Sequence, residues 1–85
     1  MTEKKLITIN QMKSGQSGII VQLIGGKNLE SRLEALGIRP GTKVTKVSSM
    51  VFKGPVTVRF NGTQAALGFG MANKVMVDSN VTTTN

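Results

Sequence analysis

Histidine, cysteine, tryptophan and tyrosine are absent from this chain, and acidic residues and proline are scarce, with 4 Asp plus Glu and 2 Pro among 85 residues. Each gap removes a class of function. Without histidine there is no side chain whose ordinary pKa suits acid–base work near neutrality. A serine or threonine nucleophile lacks its usual base, and a lysine base needs a burial that the sequence does not reveal. Without cysteine there is no disulfide framework and no thiolate chemistry. The expectation is a protein that is not an enzyme. Iron or zinc sites draw on histidine, cysteine or grouped carboxylates. The carboxylates here are Glu3, Glu30, Glu34 and Asp78, and only Glu30 and Glu34 stand one helical turn apart. That pair reads as a solvated helix face, able at most to hold a hard divalent ion weakly, so neither a metal site nor a cofactor is expected.

Long hydrophobic runs are missing as well. The longest apolar-rich stretch, Gly18 to Ile24, is far too short to span a bilayer. The opening MTEKKLITINQ lacks the apolar segment of a signal peptide. Both point to a soluble cytoplasmic protein without membrane insertion.

What is present is an aliphatic core and an excess of positive charge. Hydrophobic residues make up 39% of the chain with only 3 Phe as aromatics, and 11 basic residues give a net charge of +7. Such a balance favours acidic partners, but the basic residues are scattered and Lys4-Lys5 is their only adjacent pair, a distribution that serves solubility equally well. Residues 1–5 and the tail 80–85, ending Val81-Thr-Thr-Thr-Asn85, are expected to be flexible ends around one folded domain, 6–79.

Along that domain, Ser14-Gly-Gln-Ser-Gly18 reads as a turn cluster. Gly18 to Ile24 reads as a strand with Ile19, Val21 and Leu23 on one face and Ile20 and Ile24 on the other. The segment LESRLEALGIRPGTKV, residues 29–44, then carries a heavily punctuated helix. Asn28 is placed to cap its start, and Leu29, Leu33 and Leu36 form an apolar stripe. Gly37 suits a left-handed helix ending, with Ile38 packing back on Leu33. Pro40-Gly41 suits the centre of a type II turn. Thr42 to Met50 is a strand in which Val44 and Val47 stand an odd three residues apart. Either a bulge lies near Thr45-Lys46 or the two valines face opposite sides. Val56, Val58 and Phe60 alternate, Asn61-Gly62 signals a tight hairpin, and Thr63, Ala65 and Leu67 return on the same face. Met71 to Lys74 reads as one turn of helix before a last strand, Val75 to Val77. About five short strands, one short helix and glycine turns predict a mainly β, strongly bent small barrel.

Glycine motifs do not add chemistry. Gly25-Gly26-Lys27 lacks the spacing of a phosphate loop, and Gly68-Phe-Gly-Met-Ala-Asn73 lacks the third glycine of a dinucleotide fingerprint. Both read as backbone geometry. A small basic barrel is compatible with nucleic-acid binding, yet single-strand binders stack bases on several rings and this chain has few. The most suggestive surface is Met50-Val51-Phe52-Lys53, an apolar tip between strands, with Phe69 in its glycine-flanked turn as a second anchor and Arg39 as a charge contact. The bland alternative is a loop folded over an open barrel end.

Taken together, GGKNLESRLEALGIRPGTKV and KGPVTVRFNGTQAALGFGMANKVMV resemble the ferrous iron transport protein A (FeoA) family, over roughly residues 6–79. The resemblance implies an SH3-like β-barrel with an inserted helix, acting as a small cytoplasmic accessory of bacterial ferrous iron uptake. The implied partner is ferrous iron transport protein B, a membrane permease with a cytoplasmic GTPase domain. Two positions depart from the family pattern: Phe69, where a polar or basic residue is expected, and the Met50-Val51-Phe52 tip, more apolar than a proline-containing loop.

Overall fold

A computed structural model describes residues 5–49 and 54–79 of the chain. In order, it contains β1 (Leu6–Thr8), a single 3-10 turn (Ile9–Gln11), β2 (Ser17–Leu23), α1 (Gly26–Leu36), β3 (Lys43–Ser49), β4 (Val56–Phe60), β5 (Thr63–Leu67), α2 (Phe69–Ala72) and β6 (Val75–Asp78). The strands form one six-stranded antiparallel sheet in the order β1-β6-β2-β3-β4-β5. Its inner side supplies a single core that draws on every strand from β2 to β6, from Ile20 and Val44 to Leu67 and Val77. The mainly β expectation holds, with two corrections. The unanticipated strand is β1, three residues paired to β6 alone. The sheet is also not closed into a barrel: β1 and β5 remain its edges, and no pairing joins them among the described residues.

Local chemistry accounts for most of the elements. Asn61 and Gly62 both take positive φ, +51° and +75°, the two-residue hairpin geometry whose twist matches that of the strands. Phe60 then faces Thr63, as the hairpin signal predicts. Val56, Val58 and Phe60 are all buried while Arg59 is exposed, the alternation of a strand with one solvated face. Helix α1 ends as its residues require. The N–H of Gly37 donates to the Glu34 carbonyl and that of Ile38 to the Leu33 carbonyl, each at 2.9 Å, with Gly37 left-handed at φ +100°. This is a Schellman ending, and the hydrophobic residues it brings back, Leu33 and Ile38, are fully buried. Thr42 N–H donates to the Arg39 carbonyl across Pro40 and Gly41, with Gly41 at φ +94°, so the type II turn also holds.

The start of α1 differs from expectation. Asn28 is not its cap; the helix begins two residues earlier, at Gly26, with Gly25 at φ +144° before it and no side chain capping the first turn. A Cβ on Gly25 would collide with the Leu29 side chain, so the close packing of Leu29 selects a glycine there in place of a side-chain cap. The apolar stripe is also narrower than predicted, because Leu33 is fully buried but Leu36 is 50% exposed.

Both long strands slip register, and each slip moves side chains between faces. In β2 the shift against β6 falls between Ile20 and Gln22, so Ile20 and Leu23 share the buried side and Ile19 and Val21 are only half-buried. The expected grouping of Ile19, Val21 and Leu23 is therefore corrected by one extra residue. In β3 alternation places Val44 and Lys46 inward, and the slip against β4 falls between Lys46 and Ser48, at Val47. Finally, α2 begins at Phe69, two residues before the expected Met71.

Gly37 combines a left-handed backbone with a tight neighbour: an added Cβ would sit 2.9 Å from Cε2 of Phe60. Gly41 has the same handedness and open space. Gly37→Ala is expected to cost about 2–4 kcal/mol, backbone strain plus ring displacement, and Gly41→Ala only about 1–2 kcal/mol. Equal losses in paired thermal melts would show that the Phe60 contact has no energetic role.

A candidate docking face built on a buried lysine

An ammonium group in the protein interior needs partners, and Lys46 has them. Its side chain is 4% exposed, and Nζ donates to the backbone carbonyls of Met12 at 2.6 Å and Asn10 at 3.1 Å. Charge-assisted bonds of this kind offset part of the desolvation cost that an isolated buried cation would bear. The Lys46 backbone completes the clamp, donating to the Gln16 carbonyl at 2.9 Å and accepting from Gly15 N–H at 2.7 Å. Strand β3 thus pins the whole segment from Asn10 to Gln16. Within that segment Gln16 Oε1 accepts from Lys13 N–H, and Gln11 Oε1 reaches back to Thr8 N–H.

The clamp extends to Phe69. Asn10, whose carbonyl is held by Lys46, donates through Nδ2 to the carbonyl of Phe69 at 2.9 Å. Its Oδ1 and the Thr8 hydroxyl are buried oxygens without a hydrogen-bond partner. Phe69 opens the single turn of α2 and is 37% exposed, although aromatic rings usually bury most of their area. The flanking Gly68 and Gly70 have ordinary negative φ, and a Cβ on either would meet nothing within 4 Å. These two glycines are therefore not demanded by backbone geometry, contrary to expectation; they leave the flanks of Phe69 bare.

The other anticipated contact residues divide. Arg39 is exposed, but its Nη2 donates to the Glu34 carbonyl at 3.3 Å, closing the C-terminal end of α1 where a cation complements the helix dipole. This bond ties Arg39 to α1 and not to the Asn10–Phe69 chain. Met50, Val51, Phe52 and Lys53 lie outside the described residues. Among the described residues no group of three or more carboxylate, histidine or cysteine side chains could hold a metal ion. Nor is any helix among them long and apolar enough to cross a membrane. Sequence reasoning missed Lys46 and Asn10. The odd spacing of Val44 and Val47 was the available signal, since it leaves Lys46 at the inward position that alternation reserves for an apolar residue.

An antiparallel six-stranded sheet, bent by its bulges and left open, with the short helix α1 docked on it, defines a small SH3-like domain. The FeoA domain model matches residues 7–79. A protein of Methanocaldococcus jannaschii described as a Fe(2+) transport protein A is 32% identical over 66 residues, 78% of each chain. The crystal structure of an iron uptake regulatory protein (FeoA) superposes with a TM-score of 0.78 at 33% identity, covering 86% of this chain and 95% of that one. A manganese-dependent transcriptional repressor shares the fold at a TM-score of 0.81 and 15% identity, over 91% of this chain and 43% of its own. This chain belongs to the FeoA family.

Burial holds the Lys46 ammonium below its ordinary pKa of 10.5. In the alkaline interval under that value the unfolded chain keeps a proton that the folded chain has released, so stability rises with pH there. Lys46→Met removes this titration and strands two carbonyls. It is expected to destabilise by about 1–3 kcal/mol at neutral pH, with the deficit against the unsubstituted protein widening towards about pH 10. Urea melts at both pH values check this; a deficit that shrinks with pH contradicts the lowered pKa, and no deficit at neutral pH contradicts the clamp.

Proposed function

We propose that this protein is a non-enzymatic adaptor of ferrous iron uptake that docks on a protein partner through the face around Phe69. Family membership supports the iron transport setting, since relatives are described as Fe(2+) transport and iron uptake regulatory proteins. The observation that carries the docking face is Phe69, 37% exposed between two glycines, with its backbone carbonyl held by Asn10, whose own carbonyl Lys46 holds. An aromatic anchor on a positioned turn is the form that binding hot spots take. The partner proposed is the GTPase-bearing permease, ferrous iron transport protein B, and the compartment is the cytoplasm. The tip Met50–Lys53 and Arg39 belong to the same proposal as further contacts. An adaptor of this kind acts by binding one conformation of its partner more tightly than another, which shifts the partner's populations without chemistry of its own.

A titration of isotopically labelled protein with the soluble GTPase domain tests the proposal. Chemical-shift changes centred on Gly68–Met71 are expected, and Phe69→Ser is expected to weaken binding at least about tenfold, or about 1.4 kcal/mol, without a matching loss of thermal stability. Indifference to the GTPase domain, together with salt-sensitive shifts on adding single-stranded RNA, would replace it with the basic nucleic-acid-binding reading.

A further inference from the structure

The two edges of the sheet, β1 and β5, are not alike. An edge strand displays unpaired N–H and C=O groups, and proteins ordinarily blunt it with shortness, charge, proline or a bulge. Strand β1 is blunted by its length of 3 residues. Strand β5 has none of these devices: it is 5 residues of Thr-Gln-Ala-Ala-Leu, without charge or proline, in unbroken register with β4. The two-residue turn makes Phe60 and Thr63 a hydrogen-bonded pair, and alternation then turns the backbone N–H and C=O of Gln64 and Ala66 to the free side. No strand among the described residues takes them up.

The core also stops short at this edge. Val56, Val58 and Phe60, the inward residues of β4, are all buried. Of their partners on β5, Leu67 is buried, but Ala65 opposite Val58 is half-buried and Thr63 opposite Phe60 is exposed. One more strand with apolar inward residues would cover that rim. The outer face sets the charge of such a strand. Arg59 is exposed there directly opposite Gln64, and Lys43 is exposed on the same face of β3, two residues before the Thr45 that pairs with Arg59. Neither side-chain cation is hydrogen-bonded or ion-paired to another described residue. None of the 4 acidic residues of the chain falls on β3, β4 or β5. A carboxylate on an added strand, placed beside Gln64, therefore meets Arg59 across it, and a cation in that place is repelled.

We infer that the free edge of β5 binds an extended acidic segment of a protein partner as an added strand. Its backbone pairs with Gln64 and Ala66, its apolar side chains cover Ala65, and its carboxylates turn towards Arg59. Main-chain pairing supplies the affinity, and charge selects among the segments able to pair. A second copy of this chain is a poor occupant, because each copy carries a net charge of +7. The inference does not depend on which protein docks at Phe69.

The test is a titration of labelled full-length protein with a capped hexapeptide of alternating glutamate and valine. Saturable shifts along Thr63–Leu67 are expected, with slowed exchange of the Gln64 and Ala66 amides. The lysine–valine counterpart is expected to bind at least about tenfold more weakly. Ala66→Pro removes one outward N–H and leaves the pairing with β4 in place, so it should keep the melting temperature and lose the binding. A fully N-methylated glutamate–valine peptide, which has no backbone donor, tests the same pairing with the protein unaltered and is expected not to bind. Equal binding of the N-methylated peptide, shifts confined to Lys43 and Arg59, or no saturable response would overturn the inference. So would protection of Gln64 and Ala66 that rises with protein concentration alone, which would assign the edge to a second copy.

Discussion

A cation is buried at Lys46, and its need for oxygen partners organises one end of the molecule. The side chain occupies an inward strand position where an aliphatic residue would be cheaper, since an ammonium group enters a low-dielectric interior at considerable cost. Two backbone carbonyls of the preceding segment repay part of that cost, and doing so fixes where the segment lies. A methionine there could fill the same volume but could not dictate a path for residues 10–16. The amine is therefore a positional constraint as well as the partner whose loss would strand two carbonyls. Through Asn10 the constraint is handed on to the turn that displays Phe69, so a core residue of β3 and a surface ring of α2 belong to one connected unit.

The end of α1 is held by geometry. Gly37 brings the chain out of α1 left-handed, returns Ile38 to the core beside Leu33, and passes close over the Phe60 ring. Helix α1 is short and marginal by itself, and this ending fixes its docking on the sheet. Between the two ends, β2 and β3 each absorb an extra residue, which bends the sheet around its core without closing it.

Where a local rule has one dominant cause, the sequence was legible. Asn61-Gly62, Gly37-Ile38 and Pro40-Gly41 each demand a backbone conformation that few alternatives satisfy, and each adopts it. Family membership was legible too, because the order of these signals is more specific than any one of them. The start of α1 was not, because contact between Gly25 and Leu29 outweighed the capping preference of Asn28. Strand β1 has too few residues to show a period, and it exists through pairing with β6. The bulges were half legible: the spacing of Val44 and Val47 announced an irregularity, but its position depends on pairing with β4. Of the candidate docking face, Phe69 was visible as an apolar residue in a glycine-rich turn. Lys46 and Asn10 were not, since a lysine in a strand ordinarily points to water and only the fold shows that this one points in.

Amide hydrogen exchange in Asn10→Ala measures whether the Lys46–Asn10 chain holds the turn bearing Phe69 in place. This substitution removes the bond to the Phe69 carbonyl while leaving the Asn10 backbone carbonyl for Lys46. The amides of Ala72 and Asn73, which close the α2 turn onto Gly68 and Phe69, are expected to exchange about tenfold faster or more, a loss of the size of one hydrogen bond, while those of β4 are unchanged. Unaltered exchange at Ala72 and Asn73, or an equal increase through the whole sheet, would contradict it.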